Sequence, residues 1–277
     1  MELGQAEDIS RVNPWAYQWE RFSETADTET FLQFIFPTRL EDYSGKVVLD
    51  AGCGNAGYTK LVSRYALRVV GVDKYSAEVA RRSVAGYGNV EIVHGDIETM
   101  DLREQYDMIY SVGVLQHLER PEVGFRNLAR HLKPGGILNI WVYSREGNVP
   151  SILLFEPLKR ILLRRLPRRA LRVLAHLCLG SLLVLAHSVY RLPLPLPYRR
   201  YFQHFRAQSY SRQLMKVFDK LNAPVTHWFR REDVARWFHD DFEEVTLRHH
   251  LGMSWAGRGR TRQTADSVGG EQEENIG

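Results

Sequence analysis

Apolar and polar positions divide the chain into segments of different period. From residue 44 to 143, short apolar runs alternate with stretches of helical spacing. Val47-Val48-Leu49 and Val69-Val70-Gly71-Val72 read as buried strands, and strands alternating with helices imply a parallel sheet with crossover connections. The spacing predicts helices over 57–66, 76–86 and 121–132, the last opened by Pro121 and closed before Gly135. Upstream, Thr28 to Phe36 sets Phe31, Leu32, Ile35 and Phe36 on one helical face, and Pro37 ends it. Downstream, Arg231 to Phe238 reads as a helix with Val234, Trp237 and Phe238 inward. Phe242 to Arg248 then alternates as a strand, and Leu251 to Trp255 returns beside it.

The stretch from 149 to 230 breaks this rhythm. Leu158, Ile161, Leu162 and Leu166 share one helical face, with Lys159, Arg160 and Arg164 on another. Leu163 and Arg165 blur the separation, and Arg168, Arg169 and Arg172 prolong the basic run. Val173 to Tyr190 carries no charged residue, and Leu192-Pro193-Leu194-Pro195-Leu196-Pro197 reads as an extended, polyproline-like strap. Three readings stand for this insert: a helical cap over the substrate side of the sheet, an interfacial apolar hairpin on anionic lipid through 157–200, or a single bilayer span. His176, Gly180, Ser181, His187 and Ser188 weigh against the span. Nucleic acid is disfavoured, because the basic run lacks interleaved stacking aromatics.

The chemistry concentrates in Val47-Val48-Leu49-Asp50-Ala51-Gly52-Cys53-Gly54-Asn55-Ala56-Gly57. An apolar run enters a glycine-rich turn and a helix follows. Gly52 serves a tight turn, Gly54 a close approach of backbone to ligand, and Gly57 helix–strand packing. Asp73 ends the next strand, 21 residues after Gly52, where a carboxylate can accept from both hydroxyls of a ribose. A nucleoside-containing cofactor is therefore expected. Asp50, just before the glycines, sits poorly beside a pyrophosphate and suits a cationic ligand.

This wording resembles the class I S-adenosylmethionine-dependent methyltransferases. Val90 to Ile97 resembles the family's third strand, Tyr106 to Leu118 its fourth strand and following turn, Leu132 to Ile140 its fifth, and 231–257 its closing helix and strand pair. The resemblance implies an α/β fold: a Rossmann-like doubly wound sheet, mostly parallel with a C-terminal antiparallel strand pair, plus a helical insertion. It also implies S-adenosyl-L-methionine as methyl donor. Asp50 and Gly52 then lie at its methionine end, with Cys53 a small packing residue beside them. Gly54 admits its backbone, Asp73 takes the ribose, Asp96 and Ile97 take the adenine, Lys74 flanks the adenine, and Ser111 lies near the amine. The acceptor is expected to be an oxygen or nitrogen of a small metabolite, such as a glycan, polyketide or lipid-linked intermediate. For the base that a hydroxyl acceptor needs, the candidates are His117, Tyr143, His204 and His227. Ser111-Val112-Gly113-Val114 stands where methylases of DNA exocyclic amines or protein glutamine carry an Asp/Asn-Pro-Pro-aromatic run, which argues against those substrates.

Composition changes the picture in one respect. The 277 residues have ordinary hydrophobic (44%) and charged (25%) content, yet the net charge of +4 is unevenly spread. The segment from Pro157 to Arg231 holds 16 Lys/Arg and one acid, Asp219, so a basic insert rides on an otherwise acidic chain. Two cysteines, Cys53 and Cys178, form no disulfide framework or zinc spacing, and the acidic N-terminus has no leader pattern, so a cytoplasmic setting is expected, peripheral to the membrane if the insert meets lipid. The expected layout is an aromatic lid over 1–43, a donor-binding core over 44–148, the insert over 149–230, closing elements over 231–257 and a disordered tail over 258–277. Two rival functions remain, a nicotinamide-dependent oxidoreductase and a non-catalytic membrane-surface protein; Asp50 and the single Rossmann half weigh against the former.

Overall fold

The computed structural model describes residues 13–22, 26–163, 166–196 and 198–263. The frayed end expected for 1–12, the basic pair Arg164 and Arg165, and the tail beyond Gln263 lie outside these residues. Seven strands form one sheet: β1 (Val47–Ala51), β2 (Arg68–Asp73), β3 (Val90–His94), β4 (Tyr106–Val112), β5 (Leu132–Tyr143), β6 (Phe242–His250) and β7 (Ser254–Thr261). Their order is β3-β2-β1-β4-β5-β7-β6. The first five are parallel, and β7 runs antiparallel to both β5 and β6. The expected fold class holds.

Helices cover both faces of the sheet: α1 (Pro14–Arg21), α2 (Thr28–Phe34), α3 (Gly57–Val62), α4 (Ala77–Ser83), α5 (Pro121–Arg130), α6 (Arg168–His187), α7 (Arg199–Arg206), α8 (Tyr210–Asn222) and α9 (Arg231–Phe238). Successive strand residues point to opposite faces. Leu49, Val70, Ile109 and Leu138 pack with Phe125, Leu128, Val234 and Phe238 of α5 and α9. Val48, Val69, Met108 and Tyr110 pack on the other face with Phe31, Ile35 and Val62. A third core lies beyond the sheet, where Tyr17 and Phe22 meet Leu171, Ala175 and Leu179 of α6, Phe205 of α7, and Leu214 and Phe218 of α8. The N-terminal segment is thus divided. Its first helix joins the insert, and its second packs on the sheet.

Three expectations change. The apolar run forms one continuous helix, not a hairpin, because nothing within Arg168–His187 stops it. The segment before it, 151–163, winds in wide turns. There the anticipated faces are inverted: Leu158 and Ile161 are exposed, while Lys159 is buried and paired with Glu156 at 2.8 Å. Residues 258–261, assigned to the tail, belong to β7. Gly259 faces inward: a Cβ there would stand 2.6 Å from the Phe238 ring. Arg258 and Arg260 reach Glu244 of the neighbouring strand.

Candidate active site

The glycine turn leaves β1 with Gly52 at φ +88° and Gly54 at φ +56°, conformations that favour glycine. The Gly52 and Cys53 N–H groups donate to the Val72 carbonyl at 2.8 and 3.0 Å, which pins the turn to β2. A Cβ on Gly52 would strike Val114 at 2.3 Å, and one on Gly54 would strike the Trp19 ring at 2.6 Å. The close approach at Gly54 is therefore made by an indole of α1. Gly57 does not serve helix–strand packing as expected; its open side faces Ala26 and Asn55. Cys53 packs over Gly71 of β2, and burial pushes its thiol up, as suits an inert packing residue.

Three acids stand at the carboxyl ends of consecutive strands. Asp50 is buried at the end of β1 and accepts at Oδ2 from Thr59 Oγ1 (2.6 Å) and Tyr110 OH (2.8 Å). Burial outweighs these bonds and lifts its pKa to about 7. Asp73, ending β2, accepts from the N–H groups of Gly54 (3.0 Å), Tyr75 (2.9 Å) and Ser76 (2.7 Å), and burial also raises its pKa. It fixes both the glycine turn and the entry to α4. Asp96 follows β3 and pairs with Lys74 at 2.8 Å while accepting from the Glu98 N–H at 3.0 Å. Lys74 and Asp96 thus form one unit. Ile97 is buried in the sheet core, and Ser111 is fully buried with its hydroxyl donating to the Ala51 carbonyl at 3.0 Å.

A cavity of about 270 Å³ opens between the sheet edge and α7 and α8. Asp50, Gly52 and Cys53 line it on the sheet side; Gly54, Asp73, Lys74, Asp96, Ile97 and Ser111 do not, although Val112 and Gly113 do. Its far wall holds Tyr143, His204, Gln208, Arg212, Lys216, Asp219, Lys220, Trp228 and His250. Asp219, the single acid between Pro157 and Arg231, accepts from Tyr143 OH (3.1 Å) and Gln18 Nε2 (3.0 Å). Burial and the adjacent Asp219 charge push the Tyr143 phenol well up, so it stays protonated and donates.

The four candidate bases are not brought together. Tyr143 and His204 line the cavity, but the two other histidines do not. His117 bonds the Val225 carbonyl through Nδ1 at 2.8 Å and packs between Trp15 and Tyr143, with centroids 4.7 and 5.8 Å away. Burial lowers its pKa, so it is neutral near pH 7. His227 joins the Leu118 carbonyl through Nε2 at 3.0 Å and the Gln116 carbonyl through its own N–H at 2.8 Å, the pattern of a strut. His204 bonds Gln208 at 2.7 Å, and burial lowers its pKa.

Asp219, Lys216, Gln18 and Trp228 join the site although no sequence motif marks them as site residues. One signal was present: Arg212, Lys216 and Lys220 recur every four residues, so a helix puts them in one stripe. Arg212 pairs with Asp27 at 3.1 Å, and Lys220 stands over the Tyr201 ring. Burial, reinforced by Lys220 and Arg212, lowers the Lys216 pKa to about 8. Among the described residues, the indole N–H groups of Trp141 and Trp228, which also line the cavity, have no acceptor, and Gln208 Oε1 has no donor.

Residues 49–140 match the family described as "Methyltransferase domain". Among curated proteins, phosphoethanolamine N-methyltransferase 1 of Triticum aestivum is 31% identical over 137 residues, and the mitochondrial ubiquinone biosynthesis O-methyltransferase of Schizosaccharomyces pombe is 30% identical over 139. These matches cover 48% and 47% of this chain but only 27% and 50% of the relatives. Among solved structures, the N-methyltransferase NodS of Bradyrhizobium japonicum WM9, in complex with S-adenosyl-L-homocysteine, superposes with a TM-score of 0.50 at 13% identity, covering 90% of this chain and 99% of that one. That likeness is one of fold. Residues 49–140 thus match a methyltransferase-domain family, and the fold of the chain is like that of this solved N-methyltransferase.

Proposed function

We propose that the protein transfers a methyl group from S-adenosyl-L-methionine to an oxygen or nitrogen of a small acceptor that bears a negative charge. The observation that carries the donor assignment is the row of acids at the ends of β1, β2 and β3 around the glycine turn. When bound, this donor supplies a methyl group already activated by a sulfonium charge. The chain's residues fit it. We assign Asp73, held by three N–H groups, to the ribose hydroxyls, and Asp96, paired with Lys74, to the adenine amino group. Asp50, held near neutrality by burial, regains its charge beside a cation, and both of its donors sit on Oδ2, which leaves Oδ1 for the ligand.

On the acceptor side, Asp219 is the group we assign as base. Tyr143 and Gln18 hold the two oxygens of its carboxylate, and it faces the cavity opposite Asp50 and Gly52. A hydroxyl acceptor passes its proton to Asp219 as its oxygen takes the methyl group, and a neutral amine needs only alignment. Alignment of donor and acceptor in such a cavity can supply roughly 7–11 kcal/mol of the barrier. Trp19 of α1 and Phe22 just after it border the N-terminal side of the cavity, and we assign this segment the role of a lid. The stripe of Arg212, Lys216 and Lys220, with the unpaired indole N–H groups, favours an acceptor with a carboxylate, phosphate or sulfate. Lipid-linked and glycan intermediates that bear such a group fit this description.

The test is thermal unfolding with S-adenosylhomocysteine against NADH and NADPH. Stabilisation by the homocysteine nucleoside alone is expected; stabilisation by a nicotinamide alone would sink the proposal in favour of an oxidoreductase.

A further inference from the structure

Helix α6 has two different faces. Leu171, Ala175, Leu179 and Ala186 point inward and are all but inaccessible, the first three packed with residues of α7, α8 and α1. The opposite face exposes Val173 (61%), Leu177 (65%) and Val184 (71%). Leu153 (66%), Leu154 (73%) and Ile161 (70%) extend apolar exposure into the preceding segment. Within Arg168–Arg191 an 18-residue apolar window has a mean hydropathy of 1.8, yet only 22% of that window is buried. An ordinary core helix buries its apolar residues, so this face calls for an apolar cover.

We propose that this face docks on an anionic lipid bilayer, with α6 lying in the plane of the interface. Charge selects the cover. Exposed Arg169 and Arg172 stand at the start of α6, and exposed Arg191 and Arg200 follow its end. No Asp or Glu occurs from Pro157 to Phe218. An apolar strip bounded by arginines at both ends matches acyl chains bordered by anionic headgroups. A second copy of the chain is disfavoured, since two strongly basic segments would face one another.

The packing selects the orientation. The inner stripe of α6 completes the core with Phe205, Leu214 and Phe218, and just beyond its end Tyr190 stacks on Phe202 at 4.1 Å. A spanning helix would have to leave that core; a helix in the interface keeps it. Helix α6 packs on α8, and α8 lines the cavity, so the docking face lies one helix from the acceptor wall. This surface stands independently of the methyl-transfer assignment.

The experiment is flotation of the full chain with vesicles of phosphatidylcholine, with and without phosphatidylserine. The wild type is compared with an apolar-face variant (Val173→Gln, Leu177→Gln, Val184→Gln) and a basic-rim variant (Arg169→Glu, Arg172→Glu). All these side chains are solvent-facing, and circular dichroism verifies that the variants fold. The wild type floats with phosphatidylserine vesicles at low salt and is released by carbonate, while each variant is recovered at least about tenfold less. Equal recovery of wild type and variants, or no flotation of the wild type, overturns the proposal. Resistance to carbonate overturns it in favour of a span. A dimer that the apolar-face variant abolishes, with no lipid binding, overturns it in favour of self-association.

Discussion

Lys216→Met should stabilise the protein while removing a group that the proposed acceptor needs. Lys216 has no ion-paired partner among the described residues, and Lys220 and Arg212 add to the cost that burial places on its charge. The drop in pKa from 10.5 to about 8 corresponds to roughly 3 kcal/mol against the folded state. Below pH 8 the folded and unfolded chains both carry the proton, so the full cost falls on the fold. As pH rises from about 8 to 10.5, the folded chain releases its proton first and the cost is relieved. The methionine variant should therefore gain up to about 3 kcal/mol at neutral pH, with the gain shrinking towards zero at the alkaline end. Urea unfolding followed by circular dichroism across that range measures it. A neutral or destabilising effect at neutral pH, or a gain that persists unchanged at high pH, would refute the reasoning. A confirmed gain would mark Lys216 as a place where stability is given up for binding.

Other outcomes follow from the same geometry. Asp219→Asn should lower kcat on a hydroxyl acceptor by roughly 10²–10⁴-fold while leaving calorimetric affinity for S-adenosylhomocysteine unchanged; loss of donor affinity would remove Asp219 from the base role. Asp50 is protonated more readily in the fold than in the unfolded chain, so its contribution is present below pH 3.8 and is lost as pH rises through about 7. Asp50→Asn should flatten the fall in melting temperature across that window, and an unchanged slope would contradict the burial argument. Gly54→Ala places a methyl group against the Trp19 ring at a left-handed φ, so it should displace α1, shift tryptophan fluorescence and destabilise by about 1–3 kcal/mol. Identical fluorescence would show that α1 does not close over the turn.

Much of the sheet was legible in the sequence, because strand, glycine turn and acid recur at fixed distances and each has a local physical cause. Asp50, Asp73 and Asp96 stand at their strand ends because the chain turns there, and a turn is a local event. What stayed hidden depends on packing between distant segments. Residues 258–261 read as tail because glycine and arginine alternate there; the alternation is a strand's, with glycines admitting Phe238 and arginines meeting Glu244. Lys159 read as a surface cation but is buried, since the wide-turned segment rotates it onto Glu156. Asp219 stood out as the one acid of a basic segment, but its place in the site was not legible, because its partners Gln18 and Tyr143 lie 201 and 76 residues away. The histidines were overrated for the complementary reason. His117 and His227 look reactive in a list of residues, yet backbone carbonyls occupy ring nitrogens on both.

The most direct test of the account is a crystal structure of the protein with S-adenosylhomocysteine. The account predicts the ribose hydroxyls within hydrogen-bonding distance of the Asp73 carboxylate, the adenine amino group at Asp96, and the sulfur in the cavity between Asp50 and Asp219. Nucleoside density elsewhere on the molecule, or a sulfur facing away from the Asp219 side, would contradict it.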